Sequence, residues 1–244
     1  MGPKLSKGQP ESPLAASAEA ELQHKAAIPE KANHHMKPVI FFDWDGTLCD
    51  SMQLCIEENR TTLRLLGLPD QPDEVLRRCN GPTFEEAAPI IGIPESRMEE
   101  YCRVRLSCAL ELVEKVNRLF PGARELLAAL KPYADLCIVS NGTEPYLSKC
   151  MKQFQLEDVF RLIVWCHPER TKAQNLSLAI EALRPERAVM VGDRTGDIRA
   201  GKANGLPTVA AAFGYGNAAE WAEADFCAST MTELQEMLLR FAKE

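Results

Sequence analysis

The stretch Phe41 to Ser51, FFDWDGTLCDS, decides how the rest of the chain is read. With Val39-Ile40 before it, Phe41-Phe42 completes an apolar run short enough to be a buried strand. That run delivers two aspartates, Asp43 and Asp45, to its carboxyl end and follows them at once with Gly46 and Thr47. Two carboxylates held so close repel each other and lose hydration, so the arrangement is unstable unless a cation or a substrate compensates. The cost points to function.

The chain around it has 244 residues, 45% of them hydrophobic, enough for one large domain or two modest ones. Its 28 basic and 35 acidic residues give a formal charge of −7, and no basic stripe with interleaved aromatics stands out. Nucleic acid is excluded as an expected partner. Nine scattered cysteines lack CxxC spacing and the density of a disulfide scaffold, so reduced, mostly buried thiols and a cytoplasmic location are expected. Cys49 reads as a small packing residue beside the opening motif. No apolar run of about 18 residues appears, and no membrane span is expected. Residues 1–36, rich in Pro, Ser, Ala, Lys and Glu, read as a disordered tail. The sequence leaves open whether they are native, a tag ending at His34-His35, or a targeting segment.

Downstream, Met52, Cys55, Ile56, Leu63 and Leu66 fall on one face of a helix over 50–66, stopped by Gly67 and Pro69. A second amphipathic helix is predicted over 95–116, with the polar turn Asn80-Gly81-Pro82-Thr83 between the two. The pattern then alternates. Strands are expected at 135–140, 162–165, 188–191 and 207–211, and helices at 144–154, 171–183, 196–203 and 229–241. Alternation of this kind specifies an α/β fold, a doubly wound parallel sheet with helices on both faces. From Asp43 to Ser140 is 140 − 43 = 97 residues, whereas a simple crossover needs about 30. Residues 52–117 therefore read as an inserted all-helical cap, and 37–51 with 118–244 as the core.

In such sheets ligands bind at the carboxyl ends of the strands. That rule brings Asp43, Ser140 and Gly192-Asp193 to one edge, with Asp197 a helical turn beyond Asp193 in VGDRTGD. Four carboxylates, Asp43, Asp45, Asp193 and Asp197, then converge and demand positive charge. Oxygen ligands alone suit Mg²⁺. Lys172 is the candidate positive side chain, with Lys149 and Lys152 as nearby competitors.

Together these residues resemble the haloacid dehalogenase-like superfamily, in the branch of phosphoglycolate phosphatase and β-phosphoglucomutase. DWDGT matches the DxDGT motif, Ser140-Asn141-Gly142 the strand-end hydroxyl motif, Lys172 the lysine motif and GDRTGD the acidic motif. LFPGARELLAAL is similar to the segment that returns from a helical cap in that branch. The resemblance implies a Rossmann-like core and a Mg²⁺-dependent phosphatase acting on a small phosphorylated metabolite. Asp43 would be the nucleophile and Asp45 the general acid and base. Mg²⁺ would sit on Asp43, the main-chain carbonyl of Asp45 and Asp193, with Asp197 behind them. Thr47, Ser140, Asn141 and Lys172 would bind the phosphoryl group. A phosphomutase and a catalytically silent binding protein of the same fold are the alternatives, whereas dehalogenation leaves Asp45 and the acidic cluster without a task.

Overall fold

The computed structural model describes residues 37–244; the expected tail lies outside them. The core strands are β1 (Val39–Phe42), β4 (Asp135–Val139), β5 (Leu162–Val164), β6 (Ala188–Gly192), β7 (Thr208–Ala211) and β8 (Phe226–Ala228). They form one parallel sheet in the order β5-β4-β1-β6-β7-β8. The chain winds outward from β1 to one edge, then crosses back to β6 and winds to the other. This is the doubly wound topology, and its switch point lies between β1 and β6.

Alternation along the strands builds two cores. Ile40, Phe42, Leu136, Ile138, Val189 and Val191 face one side. There they meet α5 (Ala123–Leu130), α6 (Glu144–Phe154) and α10 (Met231–Lys243). Val39, Phe41, Cys137, Val139 and Met190 face the other. That side is covered by α7 (Lys172–Leu183) and α8 (Thr195–Ala203). All four residues of β1 are buried, as a strand covered on both faces requires.

The long interval after β1 is helical. It holds α1 (Met52–Leu65), α2 (Asp73–Arg77), α3 (Phe84–Ala87) and α4 (Met98–Val116), with two short 3₁₀ turns. Ile56, Leu63, Leu76, Ile91 and Tyr101 form a hydrophobic cluster of their own in this segment.

The helix expected from residue 50 begins at Met52. Two short strands cause the difference, β2 (Cys49–Asp50) and β3 (Arg118–Leu119), which pair antiparallel. They tie together the points where the chain enters and leaves the insertion. Pairing this far apart in sequence leaves no local pattern to read. Strand β8 also went unexpected, because it is three residues long and Phe226 and Cys227 are exposed. Six of the nine cysteines, Cys49 among them, are buried and all are free.

Leu234 on α10 is fully buried against the sheet, whereas Leu65 is 63% exposed. Leu234→Ala is expected to lower unfolding free energy by about 2–5 kcal/mol. Leu65→Ala is expected to stay within about 0.5 kcal/mol. Denaturant melts of the two variants check the ranking.

Candidate active site

The backbone N–H of Asp43 donates to Val191 O at 2.8 Å, carrying the β1–β6 ladder one step past the strand. Asp43 is thereby fixed beside the end of β6. Asp193 follows β6 directly, and Asp197 sits in the first turn of α8. One carboxylate oxygen from each of Asp43, Asp193 and Asp197 lies within 4.8 Å of the others, and all three residues are buried. The turn after Asp43 is sharp because the Trp44 carbonyl accepts from Leu48 N (3.0 Å) and Cys49 N (2.9 Å). Gly46 takes φ +87° there, and any side chain at this position would overlap the Asp193 carboxylate.

Lys172, at the first position of α7, reaches this group. Its Nζ donates to Asp43 Oδ1 at 2.7 Å and to Asp197 Oδ1. Lys149 instead donates to the carbonyl of Leu110 on α4, and Lys152 is exposed. Only the path of the chain separates these three lysines. The capping box of Thr171 and Gln174 starts α7 so that Lys172 faces the carboxylates.

Asp45 is half-buried, and its side chain stands apart from the three-carboxylate group. Tyr146 donates its hydroxyl to Asp45 Oδ1 at 2.6 Å, and Asn117 Nδ2 donates to Tyr146 Oη at 3.1 Å. Ser140 is buried at the end of β4 and accepts from Gly142 N at 3.0 Å. Asn141 reaches the insertion, where Nδ2 donates to Gly81 O at 2.9 Å. The Thr47 hydroxyl is buried without a hydrogen-bond partner among the described residues. A cavity of about 60 Å³ opens between the strand ends and the insertion, lined by Asp43, Asp45 and Ser140 on one side and by Asn80, Gly81 and Pro82 on the other.

Four participants escaped the sequence reading. Tyr146 and Asn117 hold Asp45 from positions with no motif spacing to it. Arg194, inside the acidic motif, donates Nη1 to Asn80 O at 2.9 Å. Tyr215 donates its N–H to Asp193 Oδ2 and its hydroxyl to Asp50 Oδ1, each at 2.7 Å. Thr83 does not line the cavity; it caps α3 in a reciprocal pair with Glu86.

Comparison with known proteins agrees with this geometry. The family described as "Haloacid dehalogenase-like hydrolase" matches residues 40–211. The chain belongs to that family. Among curated relatives of this haloacid dehalogenase-like chain is the tyrosine-protein kinase PtkA of Mycobacterium tuberculosis (strain ATCC 25618 / H37Rv). It is 30% identical over 186 residues, covering 74% of this chain and 64% of that protein. The chain thus spans less than two thirds of that relative's length. The phosphoglycolate phosphatase of Aquifex aeolicus (strain VF5) is 32% identical over 184 residues, covering 72% of this chain and 85% of that one. A haloacid dehalogenase-like hydrolase from Streptococcus pneumoniae superposes with a TM-score of 0.76 at 24% identity, over 83% of this chain and 98% of that one. That likeness shows the shared fold.

The charges of this family member's site suit a cation. When all are ionised, three carboxylates and one ammonium sum to −3 + 1 = −2, which one divalent ion cancels. Burial pushes Asp43 well above the ordinary carboxylate range, and Asp197 adds to the push while Lys172 opposes it. Burial, with Asp197, raises Asp193 to about 7. For Lys172, burial favours the neutral amine, but Asp197 and Asp43 outweigh it and hold the ammonium above its usual range. Asp193 Oδ1 is buried with no hydrogen-bond partner among the described residues, as a ligand atom would be. The residues present therefore fit a divalent cation, with an all-oxygen donor set.

A carboxylate whose folded pKa is raised gives stability that is complete below its unfolded pKa of 3.8 and lost as pH climbs through about 7. A cation competes with that proton. Addition of a divalent cation is expected to raise the melting temperature more at about pH 8 than at about pH 5, with Asp193→Asn removing most of the gain. Thermal melts at the two pH values check this; an equal gain at both contradicts it.

Proposed function

We propose that the chain is a Mg²⁺-dependent phosphatase of small phosphorylated metabolites, working through an aspartyl-phosphate. The observation that carries the reading is the meeting of Asp43, Lys172 and the Asp193–Asp197 pair, with Asp45 facing the same cavity. Phosphatase names among the relatives support it.

Asp43 attacks phosphorus as the bond to the leaving oxygen breaks, and Asp45 hands that oxygen its proton. Burial lifts Asp45 above the ordinary carboxylate range, while the Ser51 and Tyr146 hydroxyls pull against it, a shift in the direction a general acid needs. In the second step Asp45 takes a proton from water, the water oxygen bonds to phosphorus, and Asp43 is released. Lys172 and the backbone near Ser140 and Asn141 bind the phosphoryl oxygens, with Thr47 close behind. Asp43, the main-chain carbonyl of Asp45 and Asp193 would hold Mg²⁺, and Asp197 holds Lys172. The ion supplies charge neutralisation at the phosphoryl oxygens.

Residues 52–117 act as the cap domain over this site. Gly81 and Asn80 carbonyls bonded to Asn141 and Arg194 close the cavity, which favours a small ester over a folded protein. The kinase name of the mycobacterial relative therefore carries less weight than the phosphatase names.

Asp43→Asn is expected to lower kcat for p-nitrophenyl phosphate by at least about 10³-fold, because an amide is a poor nucleophile. Chelation of divalent ions is expected to do the same to the unsubstituted enzyme. Activity that survives either change, measured as released phosphate, refutes the mechanism.

A further inference from the structure

On the insertion side, the cavity is lined by one buried ion pair. Arg105 on α4 donates Nε to Glu58 Oε1 on α1 at 2.9 Å, and its Nη2 lies 2.8 Å from the same oxygen. Nη1 donates to the Tyr101 hydroxyl at 2.9 Å and Nη2 to the Cys79 carbonyl at 3.4 Å. The guanidinium also stacks 4.2 Å from the centre of the Phe84 ring. Every nitrogen of Arg105 thus has a partner inside the insertion. Both members of the pair are nearly fully buried, with side chains 4% and 7% exposed. They face the same cavity as Asp43 and Asp45.

Among the described residues that line it, the charged ones are Asp43, Asp45, Glu58 and Arg105. Lys172 is committed to Asp43 and Asp197, as a cation held by the acidic group would be. At the other end the guanidinium is cancelled by Glu58 and held in place by Tyr101, Cys79 and Phe84. A second anionic group on the substrate would meet the Glu58 carboxylate and Asp45 with no unpaired cation to receive it, in a site where charge is poorly screened. A hydroxyl-bearing group would lose nothing, since Ser51, Asn80 and Thr143 also line the cavity.

We propose that, because Glu58 neutralises Arg105 and leaves no free cation at that end, the cavity selects phosphate esters with an uncharged, hydroxyl-bearing leaving group and turns away esters that carry a second anion. The proposal rests on the phosphatase reading and narrows it: 2-phosphoglycolate becomes a poor substrate despite the names of relatives. A phosphomutase, which must hold a bisphosphate, is disfavoured for the same reason.

The test compares glycerol phosphate with 2-phosphoglycolate. In the parent, kcat/KM is expected to favour glycerol phosphate. Glu58→Gln frees Arg105, and the ratio is expected to move toward 2-phosphoglycolate by about ten- to a hundredfold, the range given by one hydrogen bond to a charged group. Replacing both residues by apolar ones of similar size, Glu58→Leu with Arg105→Met, keeps the packing and is expected to leave the ratio near the parent's. Calorimetric binding of the two intact esters to Asp43→Asn, with and without Glu58→Gln, reads the same selection without turnover. An unmoved ratio in Glu58→Gln, or an equal shift in the double variant, overturns the proposal while p-nitrophenyl phosphate hydrolysis still stands. Loss of that hydrolysis in the parent, with neither ester bound, overturns the phosphatase reading and this proposal together.

Discussion

Three buried carboxylates around one ammonium are the constraint to which the rest of the structure answers. Asp43, Asp193 and Asp197 repel one another, and burial sharpens the repulsion because little water screens it. The group persists because its backbone is held from several sides. Asp43 is pinned by the β1–β6 ladder, Asp193 by the N–H of Tyr215, and Asp197 by the N–H of Arg194 at 2.9 Å. Close approach is purchased with glycine: a side chain at Gly46 or Gly214 would occupy the space of Asp193. The two apolar cores on either face of the sheet supply the rigidity that keeps like charges together.

The insertion is coupled to this group through a small number of polar contacts. Tyr215 touches Asp193 through its backbone, while its hydroxyl accepts from Met52 N at 2.9 Å and donates to Asp50 at the foot of the insertion. Arg194 comes from the acidic motif and Asn141 from the strand-end motif; each grips a carbonyl of the loop at Asn80 and Gly81. The residues at the strand edge therefore also set how the insertion lies over it. A change at the strand edge is felt in the cavity through hydrogen bonds to backbone groups of the loop, whose own side chains need not be special.

Several participants were legible in the chain because their spacing is local. Asp43 and Asp45 sit two apart at a strand end, and Asp193 and Asp197 four apart where a strand meets a helix, which is short-range geometry. The sheet was legible for the same reason, as apolar strands alternating with amphipathic helices. Tyr146 was not, since it lies 101 residues from Asp45 and nothing near it in sequence marks the contact. Glu58 and Arg105 lie on two different helices, and no local spacing relates them. They pair across 47 residues only after α1 and α4 pack.

The sequence by itself determined the α/β architecture and the edge at which Asp43, Asp193 and Asp197 meet, because each follows from periodicity and local spacing. The tertiary structure alone decided that Lys172 and not Lys149 faces Asp43, that Tyr146 and Asn117 hold Asp45, and that Arg105 is neutralised by Glu58 within the cavity. Such pairings depend on which helix faces pack together. That outcome is set by the whole folded chain and leaves no trace in the spacing of the residues that meet.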